Sequence, residues 1–151
     1  MTEYPIKKYL PHQPPMLMVD TVKQISNEEV LTDFFIKSDN IFVKNGLFTD
    51  VGLIENAAQT CSAISGQFYF TEDYTQNCSV NPKVLGFISS IKKIQVFQLP
   101  KTNTRITTKA ILCSHSQTDQ YSICVLKVHV FDEDTLFLEG ELNLFLQNNN
   151  A

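Results

Sequence analysis

The chain has 151 residues, 43% hydrophobic and 11% aromatic, about the length of one domain with enough apolar material for a sizeable core, so residues 1–151 are expected to form a single domain. A formal net charge of −4, with Arg105 the only arginine, excludes the basic face that pairing with nucleic-acid phosphates requires. The N-terminal MTEYPIKKYLPHQPP has no uninterrupted apolar core of the signal-peptide kind, and no later run approaches the roughly 20 apolar residues that span a bilayer, so a soluble cytoplasmic protein with neither membrane nor nucleic acid as partner is expected.

The first fifteen residues carry Pro5, Pro11, Pro14 and Pro15, which fix φ and lack the amide proton, and so predict an ordered lead-in without regular helix or central strand. MLMVDTVKQI (16 to 25) and EVLTDFFIK (29 to 37) are rich in β-branched and aromatic residues and flank the turn-prone Ser26 and Asn27, which predicts a hairpin. KNGLFTDVG (44 to 52) reads as a loop. From Thr49 or Asp50, expected to supply an N-cap, the period becomes 3.6: Ile54, Ala57, Ala58, Cys61, Ile64, Ser65 and Phe68 share one stripe of a helix expected to run to about Tyr69. The small residues Ala57, Ala58, Ala63 and Gly66 allow close approach on several sides. A polar loop, TEDYTQNCSVNPK, follows.

Four long strands come next: VLGFISSIKKIQVF (84 to 97), TRITTKAILCSHS (104 to 116), QYSICVLKVHVF (120 to 131) and LFLEGELNLFL (136 to 146), with a short QNNNA tail expected to fray. In the last strand, alternation puts Leu136, Leu138, Leu142, Leu144 and Leu146 on one face, and Phe137, Glu139, Glu141, Asn143 and Phe145 on the other. One amphipathic helix followed by an antiparallel meander has an economical solution: an α+β hotdog fold, in which a curved antiparallel sheet of about six strands wraps a long central helix. Sheet edges and an outer face bearing Phe137, Phe145, Ile123 and Val125 favour pairing with another copy.

Among chemistry-bearing residues, Cys61, Cys78, Cys113 and Cys124 show no CxxC pair and read as buried free thiols. His115 and His129 have no acid at ligand spacing and read as surface or interface residues, so no metal site is expected. With five glycines in the chain, a phosphate-cradling loop is not expected either. Glu55 is different, because it interrupts an apolar helix. The helix dipole alone would accommodate it in the first turns, so its neighbours must decide its role.

Those neighbours carry a resemblance. YLPHQPPMLMVDTV (9 to 22), GLIENAAQT (52 to 60) and LGFISSIKKIQVFQLPKTNTRITTKAIL (85 to 112) together resemble the hotdog (3R)-hydroxyacyl-acyl carrier protein dehydratases over nearly the whole chain. The resemblance implies a homodimer or dimer-based oligomer with sites at the subunit interface, each drawing a histidine from one chain and a helix acid from the other. It implies a 3-hydroxyacyl thioester carried on the phosphopantetheine of an acyl carrier protein, in fatty acid or polyene-type lipid and pigment biosynthesis, and no metal or diffusible cofactor.

Carried over residue by residue, Glu55 matches the catalytic helix acid, Gly52 offers a helix-start amide to the thioester oxygen, and Gln59 matches the polar residue one turn on; Val51 and Leu47 fall beside the substrate. The family's catalytic histidine belongs to a Gly-His-Phe-Pro loop, whereas this chain has Leu47 at that place. His12, in the Leu-Pro-His motif, is the nearest substitute. A dehydratase-like branch associated with aryl polyene and flexirubin-type pigments also lacks the loop and keeps Leu-Pro-His, and this chain is similar to that branch. Lys92 and Lys93, with Lys7, Lys8 or Lys101, form either a basic patch for an acidic carrier or a solvated strand edge. Three readings stay open: a dehydratase with Glu55 and His12 as the acid/base pair, a thioesterase in which Glu55 activates water, and a binding protein that kept the acyl tunnel without the chemistry.

Overall fold

A computed structural model describes residues 5–66 and 84–148. A short 3-10 turn, Ile6–Lys8, opens the lead-in, and the buried Tyr9 and Leu10 tie it to the core. Strand β1 (Thr21–Ile25) and strand β2 (Glu29–Phe35) form the predicted hairpin. Its turn is closed by Ser26, whose amide donates to Glu29 C=O (2.8 Å) and whose hydroxyl accepts the amides of Glu28 (3.2 Å) and Glu29 (3.1 Å).

The first strand is shorter than residues 16 to 25 predicted. Met18 and Val19 are buried, but the backbone of 16–18 is bonded to helix side chains instead of a neighbouring strand. Extended, apolar chain therefore does not become ladder here, because its amide and carbonyl groups are already satisfied elsewhere.

Residues 43–48, read as loop, form a small hairpin of β3 (Val43–Lys44) and β4 (Leu47–Phe48). Its two-residue turn is Asn45–Gly46, both at positive φ (55° and 75°), the requirement of a type I′ turn and the reason Asn-Gly suits it. Helix α1 (Asp50–Gly66) follows after one residue. Its predicted extension to Tyr69, the polar loop with Cys78, and the end of the tail lie outside the described residues. Thr49 stands at the N-cap position, its carbonyl accepting Leu53 N–H (3.0 Å), yet its hydroxyl donates to Phe42 C=O (2.7 Å); Asp50 Oδ1 instead accepts the amide of Val51 (2.9 Å).

Strands β5 (Val84–Val96), β6 (Arg105–Gln117), β7 (Tyr121–Phe131) and β8 (Leu136–Asn148) complete a six-stranded sheet in the order β1-β2-β6-β7-β8-β5, every pairing antiparallel. The helix packs across one face against β2, β5, β6, β7 and β8. Leu53, Ala57, Cys61 and Ile64 meet Ile106, Leu126, Val128, Leu138, Leu142 and Leu144 in the resulting core. This is the expected hotdog arrangement. A register shift between Val130 and Phe131 changes the phase of β8 at its start, so Phe137 is buried (4% exposed) and Leu136 is the exposed one (38%), the reverse of strict alternation.

Arg105 is spent within the sheet: its guanidinium lies 3.1 Å from the buried Asp33 and 3.9 Å from Asp20, over the ring of Phe35, while Lys23 (3.4 Å) and the Thr21 hydroxyl complete the surroundings of Asp33. Among the described residues no helix is long and apolar enough to cross a membrane.

Candidate active site

The second turn of α1 presents Glu55, half-buried, with Gln59 one turn later on the same side, since residues four apart overlie on a helix. Gln59 Nε2 donates to Glu55 Oε1 (2.8 Å) and to Met16 C=O (2.8 Å), while its Oε1 accepts the amide of Met18 (2.7 Å). Asn56 works alongside: its Nδ2 donates to Met18 C=O (2.7 Å) and its Oδ1 accepts the Thr108 hydroxyl of β6 (2.6 Å). Thr60 and Thr32 of β2 share a further bond (2.8 Å). Asn56, Gln59 and Thr60 are fully or almost fully buried, and burial of amides and hydroxyls is tolerated because each is paired.

These bonds bring the lead-in to Glu55. Between His12 and the Gln59 bonds lies one turn, in which Gln13 C=O accepts the amides of Met16 (2.9 Å) and Leu17 (3.0 Å). His12 is half-buried, and its Nδ1 is buried with no hydrogen-bond partner among the described residues. Burial holds its pKa below the ordinary 6.5, because a desolvated ring resists taking charge, and the nearby Glu55 carboxylate pulls the other way. The pair joins a carboxylate to an imidazole that is neutral near neutral pH and can both donate and accept.

The helix start lies less than two turns away. The amides of Asp50, Val51 and Gly52 precede the first helical bond, so the helix itself offers them no carbonyl. Gly52 has no room for a side chain: a Cβ there would meet the Phe48 ring at 2.5 Å and Phe42 Cβ at 2.8 Å. Val51 is 58% exposed. Leu47 sits on β4, half-buried, opposite Lys44 and bridged to Lys101. The structure thus bonds Glu55 to Gln59 and ties Gln59 to the segment that follows His12, sets Gly52 and Val51 at the start of the same helix, and leaves Leu47 on the hairpin that feeds it.

Other predicted features fall elsewhere. His129 Nε2 is 3.8 Å from Glu139 Oε2, its cross-strand partner, on the sheet face away from the helix; sequence spacing could not show that acid. Lys92 and Lys93 are exposed on β5, and Lys92 pairs in register with Glu141. Asn56 and Thr108 were not singled out in the sequence. Asn56 stands beside Glu55, but the Thr108 bond depends on which strand the helix lies against.

With this geometry in place, comparison with known proteins narrows the family. A family model described as ApeP-like, ApeP dehydratase, matches residues 4–151. No curated protein matches the chain. Among solved structures, the dehydratase heterocomplex ApeI:P from Xenorhabdus doucetiae superposes with TM-score 0.76 at 19% identity, covering 97% of this chain and 93% of that one. A sigma28-regulated virulence protein from Campylobacter jejuni gives 0.62 at 13% identity, covering 89% and 79%. A hypothetical thioesterase with coenzyme A from Streptococcus pneumoniae TIGR4 gives 0.58 at 11%, covering 86% and 87%. At these identities the structural matches establish the fold.

Proposed function

The chain belongs to the ApeP-like dehydratase family, whose model spans nearly all of it, and from that premise we propose that it removes water from a carrier-bound 3-hydroxyacyl thioester to leave the trans-2-enoyl thioester. The observation that carries this reading is the Gln59 side chain, which ties the Glu55 carboxylate to Met16 in the segment that follows His12. Glu55 takes the C2 proton, the C2–H electron pair becomes the C2=C3 double bond, and the C3–O bond breaks. The neutral His12 ring gives a proton to the departing hydroxyl through one nitrogen and receives the proton held by Glu55 on the other, so water leaves, Glu55 is a carboxylate again, and the ring, left as its other neutral tautomer, is reset by proton exchange with solvent. An amide of the first helical turn, Gly52 N–H, faces the thioester oxygen where negative charge develops.

In this reading the substrate arrives on the phosphopantetheine arm of an acyl carrier protein, without metal or diffusible cofactor, in fatty acid or polyene-type biosynthesis in the cytoplasm. The assembly is a homodimer or dimer-based oligomer; the Xenorhabdus doucetiae protein is a dehydratase heterocomplex, which supports an assembly of more than one chain as the working form. Val51 and Leu47 line the acyl path.

The test is to supply a 3-hydroxyacyl thioester and follow enoyl product and free thiol together. Enoyl product is expected, with Glu55→Gln lowering turnover on the order of a hundredfold or more while the fold is retained. Free thiol without enoyl product would instead make the protein a thioesterase, in keeping with its thioesterase-like neighbours in fold. Binding without either product would reject both activities.

A further inference from the structure

Glu55 stands at the end of a line of hydrogen bonds whose every direction is fixed. A side-chain amide can sit either way round, but the Met18 amide can only donate and the Met16 and Met18 carbonyls can only accept. Gln59 therefore turns Oε1 to Met18 N–H (2.7 Å) and Nε2 to Met16 C=O (2.8 Å), and the other Nε2 hydrogen falls to Glu55 Oε1 (2.8 Å). Met18 C=O orients Asn56 in the same way: Nδ2 faces it (2.7 Å), which leaves Oδ1 to accept the Thr108 hydroxyl (2.6 Å). Asn56 and Gln59 thus clasp Met18 at its carbonyl and its amide, and Thr108 of β6 anchors the clasp. Met18, Asn56 and Thr108 are fully buried. If the hydroxyl were lost, Asn56 Oδ1 would be a buried acceptor with no donor, and an Asn56 that turned to find one would release Met18 C=O and slacken the Met18 bond to Gln59. A proton on Glu55 Oε1 would meet the Gln59 N–H hydrogen against hydrogen, so while the clasp holds, the carboxyl takes its proton at Oε2.

We propose that Thr108 is a positioning residue for the reaction: through Asn56, Met18 and Gln59 it holds Glu55 Oε1 against an N–H donor and leaves Oε2 as the atom that removes the C2 proton. The inference rests on the dehydratase reading above.

The fold supplies its own control. Thr32 of β2, the partner of Thr108 in register, is equally buried and bonds Thr60 of α1 (2.8 Å), which lies outside the line to Glu55. Thr108→Val and Thr32→Val each remove one buried hydroxyl from adjacent strands, and both are assayed on a 3-hydroxyacyl thioester beside thermal unfolding. Thr108→Val is expected to lower kcat about tenfold with KM within about twofold, because a misplaced base slows the chemical step and leaves binding alone. Thr32→Val should lose comparable stability and keep kcat within about twofold, and Thr108→Ser, which retains the donor, should recover wild-type kcat. Unchanged kcat in Thr108→Val, an equal fall in Thr32→Val, or no recovery in Thr108→Ser overturns the inference. If Thr108→Val does not fold, Thr108→Cys, a weaker donor, carries the test: kcat about threefold below Thr32→Val is expected, and kcat equal to it overturns the inference. Wild-type protein that yields no enoyl product would remove the dehydratase reading and this inference with it, a result distinct from normal wild-type turnover that Thr108→Val leaves untouched.

Discussion

Desolvation acts on His12 and Cys61 in opposite directions for one reason: it disfavours whichever form is charged, lowering the imidazole pKa and raising the thiol. For His12 the unfolded chain, near 6.5, takes up its proton before the folded chain does as pH falls. Its contribution to stability is therefore unchanged above 6.5 and is lost as pH drops from there to the lower folded value. Urea midpoints followed through that window are expected to fall less steeply in His12→Asn than in wild type; parallel curves would contradict the assignment. For the thiols, Cys61 and Cys124 are buried and Cys113 is exposed, so an alkylating reagent should label Cys113 in the native protein and reach Cys61 and Cys124 only on unfolding, as read by mass spectrometry. Gln59→Leu would strand the buried Met18 amide and unpair the part-buried Met16 carbonyl. The expected loss is about 3 kcal/mol by urea denaturation, with turnover lowered further because Glu55 loses its tether.

At the scale of elements, two glycines differ in what they do for the chain leading into α1. Gly46 sits at φ +75° in the β3–β4 turn, and a methyl added there would have nothing within 4 Å, so Gly46→Ala should cost only the backbone conformation, about 1 kcal/mol. Gly52 has an ordinary helical backbone, but a Cβ added to it would stand 2.5 Å from the Phe48 ring, so Gly52→Ala must displace the ring or the helix start, at about 1–3 kcal/mol. Thermal unfolding of both variants, with turnover measured beside it, checks the contrast: Gly46→Ala should leave activity intact and Gly52→Ala should not. Asn45–Gly46 is a turn signal as a dipeptide, yet the strands on either side are two residues each, too short for alternation to register, so the segment reads as loop. The clasp explains the opposite miss at residues 16–18, where composition favours a strand but helix side chains take the backbone groups.

For the molecule as a whole, most of the architecture could be read from local pattern. The order of two strands, one helix and four long strands follows from alternation and 3.6 periodicity, both of which report the burial of individual faces. The start of α1 and its acid at Glu55 were readable in the same way, and the neighbours GLI and NAAQT marked that acid for attention. Tertiary structure decided three things. It rotated the start of β8, burying Phe137 in place of Leu136, because a bulge is a property of two paired strands. It brought Glu139 to His129 across a ladder whose register no single strand specifies. And it tied α1, at Asn56 and at the Glu55 partner Gln59, to the segment that follows His12, far away in sequence. Local sequence determines which faces are apolar and where helices and strands begin; which distant polar groups meet depends on chain closure, where the need to satisfy every buried donor and acceptor selects the partner.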